Sequence, residues 1–310
     1  MTTILLGPQR FTVTARAALR SLGVEGAVAT VNAGWEEREG EDRELDSVLD
    51  GRTLNLRLHA RMADVLAKDP DVAAAAYAFG EQRDTLVALY ELRLRHALAA
   101  AYSVQHRIAR HGDPTGAAAA ALEESVRTVR TVDRWYLAEL AELHQRREEQ
   151  APPSQSEVVA WHRGEVAADL ASCRVVVLTG GNVATLLTAL RLFDVRLPEH
   201  VPVIAWSAGA MVLTGKVVLF HDYAPQGDSD ASVWDRGLGR LPDLLLLPHA
   251  TRRLRLDDKA RMSVLARRFR KRQAVLLDDG ARLRIDADGQ LPEEARVVTL
   301  AGTVRKGQHR

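Results

Sequence analysis

Hydrophobic and polar positions change period along the chain, and those changes divide it. Ile4 to Gly7 is a short apolar run closed by Gly-Pro, Phe11 to Leu22 has helical spacing, and Gly26 to Ala33 is again apolar and short. Together they predict a strand-helix-strand opening. From about Arg43 to Gln150 the signal becomes helical, with Leu86, Leu89, Tyr90, Leu94 and Leu98 recurring on one stripe among Ala, Arg and Glu. His111-Gly112-Asp113-Pro114-Thr115-Gly116 breaks this stretch and predicts two long helices folded back on each other. Ala151-Pro152-Pro153-Ser154 marks a linker back to alternating elements. These are a helix near Glu157 to Leu170, a strand Arg174 to Leu178, another helix, a strand Val201 to Trp206, a helix from Ala208, and the apolar strand Leu244 to Leu247.

Strands alternating with helices predict a three-layer α/β fold, its mostly parallel sheet covered by helices on both faces, plus an α-helical insertion. The expected division is 1–59 and 151–310 for the two parts of the α/β core and 60–150 for the insertion. Helices with such apolar stripes need a covering surface. The expected cover is the catalytic edge of the core or a homodimer contact with a second copy of the chain.

Composition narrows the function classes. Hydrophobic residues make up 46% of the 310, enough for a buried core, and 42 Lys and Arg against 41 Asp and Glu leave a formal charge of +1. No global field points to nucleic acid or to an acidic membrane surface, so a small substrate is the expected partner. Cys173 is the one cysteine, and the opening residues carry no basic region followed by an apolar stretch, which together predict a cytoplasmic protein. The histidines of the helical segment, His59, His96, His106, His111 and His144, show no metal-ligand spacing, so neither a metal nor a cofactor is expected. The basic run Arg267 to Arg272 reads as a solvated helix face or a helix C-terminus, ahead of a phosphate-binding patch.

The chemistry concentrates after residue 174. In Val201-Pro202-Val203-Ile204-Ala205-Trp206-Ser207-Ala208-Gly209-Ala210 a buried strand runs into a serine and then into small residues that open a helix. Such a sharp turn lifts the hydroxyl clear of the sheet and aims the next N–H, that of Ala208, at a developing oxyanion. Ala205 stands where the usual elbow has glycine, and a serine in this setting also serves as a plain helix cap. One strand-helix unit upstream, Thr179-Gly180-Gly181-Asn182 ends another strand, where glycines let a ligand approach the backbone. A serine hydroxyl needs a base held by a carboxylate. His249, just past Leu244 to Pro248, falls at a strand's carboxyl end, where open α/β sheets place their sites, whereas His221 reads as a loop residue. Asp222, Asp228, Asp230 and Asp235 all remain open as the acid. Asp279, in Asp278-Asp279-Gly280, reads as a turn residue after a strand.

Taken in order, Leu178-Thr179-Gly180-Gly181-Asn182, Ala205-Trp206-Ser207-Ala208-Gly209-Ala210, His221-Asp222, Leu246-Leu247-Pro248-His249-Ala250 and Leu276-Leu277-Asp278-Asp279-Gly280-Ala281-Arg282-Leu283 resemble the peptidase E (aspartyl dipeptidase) and cyanophycinase family of serine peptidases. That family is similar in fold to class I glutamine amidotransferases. The resemblance spans about Arg174 to Ile285 and implies Ser207 as nucleophile, His249 as base, Asp222 as orienting acid, and Gly181 and Ala208 as oxyanion donors. It also implies substrate contacts from Gly180, Asn182 and Arg261, with Arg252 and Arg253 as rivals of Arg261 for a substrate carboxylate. Glutaminases of the fold use an elbow cysteine, and position 207 is serine, so glutamine hydrolysis is not expected. The expected activity is hydrolysis of a short peptide or modified amino acid through an acyl-enzyme. The other two readings are a catalytically silent binding protein on this fold and an esterase, which shares the order Ser, Asp, His.

Overall fold

The structure is a computed structural model that describes residues 2–223 and 229–307. The chain begins with strand β1 (Thr3–Leu6), helix α1 (Ala15–Ser21) and β2 (Val28–Val31), then a 3-10 segment Ala33–Arg38 and α2 (Arg43–Val48) lead to β3 (Thr53–Asn55). Four helices follow: α3 (Leu58–Lys68), α4 (Pro70–His111), α5 (Ala117–Gln150) and α6 (Glu157–Ser172). Next come β4 (Val175–Leu178), α7 (Val183–Leu192), β5 (Val203–Trp206), α8 (Ala208–Val212), β6 (Val217–His221), β7 (Ser229–Asp235) and β8 (Leu244–Pro248). The chain closes with α9 (Ala250–Arg253), α10 (Lys259–Arg268), β9 (Gln273–Leu277), β10 (Arg282–Ile285), β11 (Arg296–Val298) and β12 (Val304–Lys306).

The main sheet has the order β10-β1-β5-β4-β2-β3, parallel throughout except for β10 at one edge. Its strands are apolar on both sides, and successive residues supply different layers. Ile4, Leu6, Val28, Val175, Val177 and Ile204 pack on the α1 and α2 side, while Leu5, Ala29, Val31, Val176, Leu178 and Val203 join the larger core beneath the remaining helices. This is the α/β architecture expected from the sequence. A second sheet, β12-β11-β9-β8, and the antiparallel pair β6-β7 are the other sheets among the described residues.

Three details differ from the sequence reading, the first being that β8 lies in a second sheet with β9, β11 and β12. The segment from Arg43 is not helical throughout, because β3 pairs in parallel with β2 through Thr53, Leu54 and Asn55. At three half-buried residues, this edge strand is too short to show a period. The predicted helix at Phe11 begins only at Ala15, since Gln9 folds back to accept hydrogen bonds from the N–H groups of Thr14 and Ala15, leaving Phe11 exposed.

Helices α4 and α5 form the predicted antiparallel pair. Leu86, Tyr90, Leu94 and Leu98 meet Leu122, Val126, Val129 and Tyr136, and the Tyr90 and Tyr136 rings stack at 4.2 Å. Asp69 caps α4 through the Val72 N–H, ahead of Pro70 at the first helical position. The pair packs on α3, α10 and β7 of the same chain. Its firmest link is polar: Arg268 of α10 bonds Asp133 of α5 through two nitrogens, at 2.6 and 2.8 Å, and reaches the Tyr90 hydroxyl at 2.9 Å. Asp133 and Arg268 are almost fully buried. Burial alone lowers the Arg268 pKa, but Asp133 more than reverses this, and the guanidinium stays charged. Among the described residues no helix is long and apolar enough to cross a membrane.

Candidate active site

The site lies at the carboxyl ends of β4, β5 and β8. Ser207 follows β5 with φ 49° and ψ −122°, a conformation L-residues rarely adopt, and α8 starts at the next residue. Such strain persists only where the surroundings hold it. Here β5 is fixed between β1 and β4, and α8 lies so close to β4 that a Cβ at Gly209 would meet the Leu178 carbonyl oxygen at 2.2 Å. Ala205 is fully buried and fits the elbow without the usual glycine.

His249 follows β8 and also has positive φ, 56°. Its N–H donates to the Leu277 carbonyl at the end of β9, which fixes the residue between two parallel strands. Ser207 Oγ and His249 Nε2 are 3.3 Å apart. The two residues come from different sheets, brought together because α8 packs on β8. Burial pushes the imidazole below its ordinary value of 6.5; Arg253 and Arg252 add to that, while Asp279 and Asp278 oppose it. A neutral ring near pH 7, able to accept a proton, is the result.

Gly181 follows β4 with φ 109°, and a Cβ there would lie 2.0 Å from the Gly34 carbonyl oxygen, so no other residue fits without displacing that turn. The adjacent Asn182 N–H donates to the same carbonyl. Among the described residues no main-chain carbonyl takes the N–H of Gly181 or of Ala208. Gly180 lies against Ser207, its hypothetical Cβ 3.1 Å from the serine Cβ.

The structure does not bring together every residue singled out in the sequence. Asp222 is buried, but its carboxylate accepts from the Arg255 N–H at 2.9 Å and from Arg261 at 2.7 Å, and its own N–H donates to the Arg253 carbonyl. It braces the turn behind His249 and makes no hydrogen bond to the imidazole. The carboxylates acting on His249 are instead Asp279 and Asp278, beyond β9. Asp279 uses Oδ2 to bind Arg252 at 2.9 Å, and Asp278 accepts from Thr251 and Arg296. Asp235 is tied to His144 and Arg191, Asp230 to Arg261 and Tyr102, and Asp228 lies outside the described residues. Arg261 is therefore committed to Asp222 and Asp230 and lines neither cavity at Ser207. Asn182 caps α7 through the N–H groups of Ala184 and Thr185, and its amide donates to Glu36.

Two cavities meet at Ser207, Gly181 and His249. One, about 600 Å³, is lined on its far side by Gln9, Arg10, Trp35, Arg38 and Trp206. The other, about 540 Å³, is lined by Glu91, Met211, Phe220, His221 and Arg253. The larger cavity of 930 Å³, around Cys173 and Phe193, touches none of the residues above. Gln9 and Arg10 were within reach of sequence reasoning, since they follow β1 at the sheet edge where such sites form. Glu91 had no local signal, standing on the polar face of a helix.

Comparison with known proteins identifies the family. The sequence profile described as peptidase family S51 matches residues 126–291, more than half of the chain. No curated protein matches significantly. Among solved structures, a peptidase from an acI-B1 Actinobacterium is similar at 12% identity, covering 99% of this chain and 95% of that one, with a TM-score of 0.44. On the family match, the chain belongs to peptidase family S51, the peptidase E family, and is a peptidase.

Proposed function

We propose that the protein is a serine peptidase that cleaves short peptides through an acyl-enzyme, with Ser207 as nucleophile and His249 as base. The observation that carries this reading is the 3.3 Å approach of Ser207 Oγ to His249 Nε2 on a strained strand-to-helix turn. Ser207 Oγ attacks the scissile carbonyl while Nε2 takes its proton. The oxyanion forms against the N–H groups of Gly181 and Ala208, which cost no reorganisation because the backbone is already fixed. Collapse expels the amine, which receives the proton from His249, and water then releases the acid by the same route. In this reading the charge of Asp279, with a smaller share from Asp278, favours the imidazolium that forms as His249 takes the proton. Asp222 acts one step removed, through the turn that carries His249.

The two cavities leave room for a short segment on each side of the scissile bond. Arg253 is half-buried, and burial lowers its pKa with no carboxylate opposing the shift. A substrate carboxylate is the natural counter-ion for such a guanidinium, which assigns to Arg253 the task the sequence resemblance gave to Arg261.

A fluorophosphonate probe tests the nucleophile. Attack by Oγ on phosphorus displaces fluoride, so the wild-type protein should be labelled and Ser207→Ala should not. Equal labelling of both proteins would remove the serine from the mechanism. The pH profile tests the base. Because protonated His249 cannot accept the serine proton, kcat/KM should fall on the acid side, and burial places the midpoint of that fall below 6.5. A midpoint clearly above that value would contradict the burial and charge balance described for His249.

A further inference from the structure

Within the serine peptidase reading, we propose that Glu91 of α4 binds a positively charged group of the substrate, so that the long helical pair supplies a specificity subsite to the cavity at Ser207. Glu91 lines the 540 Å³ cavity together with Ser207, His249 and Arg253. Among the described residues it has no hydrogen bond or ion pair, whereas the other carboxylate of that wall, Asp230, is paired with Arg261 at 3.1 Å and accepts from the Tyr102 hydroxyl at 2.8 Å. The cavity therefore offers one carboxylate without a direct partner among the described residues. Its position is held firmly, because the preceding residue, Tyr90, is stacked on Tyr136 and bonded to the buried Asp133 at 2.8 Å.

A carboxylate with no salt-bridge partner on the open wall of a cavity attracts the ammonium or guanidinium of whatever enters that cavity. Arg253 supplies the opposite charge from the α9 side of the same cavity. A short peptide with free ends carries both matching groups. The cation has two sources, the substrate's α-ammonium or a lysine or arginine side chain, and the chemistry at Glu91 is the same for either.

The test uses the full chain and reads binding apart from turnover, as protection of Ser207 from the fluorophosphonate. The competing probes are Ala-Ala, N-acetyl-Ala-Ala and N-acetyl-Lys-Ala, with wild type and Glu91→Gln compared. Glu91 is exposed on a helix, so the glutamine variant keeps the fold. Unprotected labelling should proceed at the same rate in both proteins, because Glu91 takes no part in the reaction with phosphorus. In the wild type, Ala-Ala should protect at about tenfold lower concentration than N-acetyl-Ala-Ala, the size expected for one charge-assisted hydrogen bond, and the difference should vanish in Glu91→Gln. N-acetyl-Lys-Ala protecting at lower concentration than N-acetyl-Ala-Ala, in the wild type alone, also supports the subsite and shows that a side-chain cation can occupy it. Equal protection by all three peptides, protection by none, or a preference that survives in Glu91→Gln overturns the subsite. Failure of the wild type to be labelled is a different result: it overturns the serine reading, and the subsite with it.

Discussion

Ser207→Ala and His249→Ala should each lower kcat/KM on any cleaved peptide by about 10⁴- to 10⁶-fold, and the double variant should be little worse than either alone. The two side chains act as one unit, so removing the second member of a disabled pair takes away almost nothing. Losses that multiplied would show that the 3.3 Å contact is structural. The acid can be separated in the same series. Asp279→Asn should slow the reaction by about tenfold with little loss of stability, since the carboxylate is partly exposed and acts on the imidazole through its charge. Asp222→Asn should do the reverse. Its partner Arg261 is mostly buried, so the main effect is a less stable protein and a smaller loss of rate. A rate loss confined to Asp222→Asn would return the orienting role to that residue.

The second large effect is on stability. Arg268→Met should destabilise the fold by about 3–5 kcal/mol, because Asp133 would keep its charge in an almost fully buried place with no cation beside it. Replacing both, as Arg268→Met with Asp133→Leu, should recover most of that loss, since apolar residues of similar volume often substitute for a buried pair at little cost. Urea denaturation of the two variants measures both quantities. If the single variant were as stable as the wild type, the bond between α10 and α5 would not be what fastens the helical pair to the core.

Much of this arrangement was legible in the sequence, for physical reasons that can be named. The strands at Val175 and Val203 are continuous apolar runs because both of their faces are covered, and each ends in small residues where the backbone must turn sharply. The position of His249 followed from the strand before it. The acid was harder. Asp222 and Asp279 each stand beside a chain reversal near the site, and only the fold shows that Arg261 has claimed the first while the second follows the strand next to His249. The strand Leu244 to Leu247 was legible, but its membership of a second sheet was not, because β11 and β12 of that sheet are three residues each and carry no readable period. Glu91 lies 116 positions before Ser207, on a helix whose polar residues all look alike in sequence.

The helical pair occupies the crossover between β3 and β4, two strands that run parallel on either side of β2. Such a crossover must exceed a minimum length to return the chain to the same end of the sheet, but above that minimum the strands are indifferent to what it contains. Ser207, His249, Gly181 and Asp279, by contrast, sit on turns whose lengths leave no slack. Chain inserted at the crossover can thus be lengthened, shortened or exchanged without disturbing those turns. In the proposed reading, the groups that cleave the peptide bond and the carboxylate that takes its cation are in this way written in separate stretches of the gene, and selection is free to revise the second while leaving the first untouched.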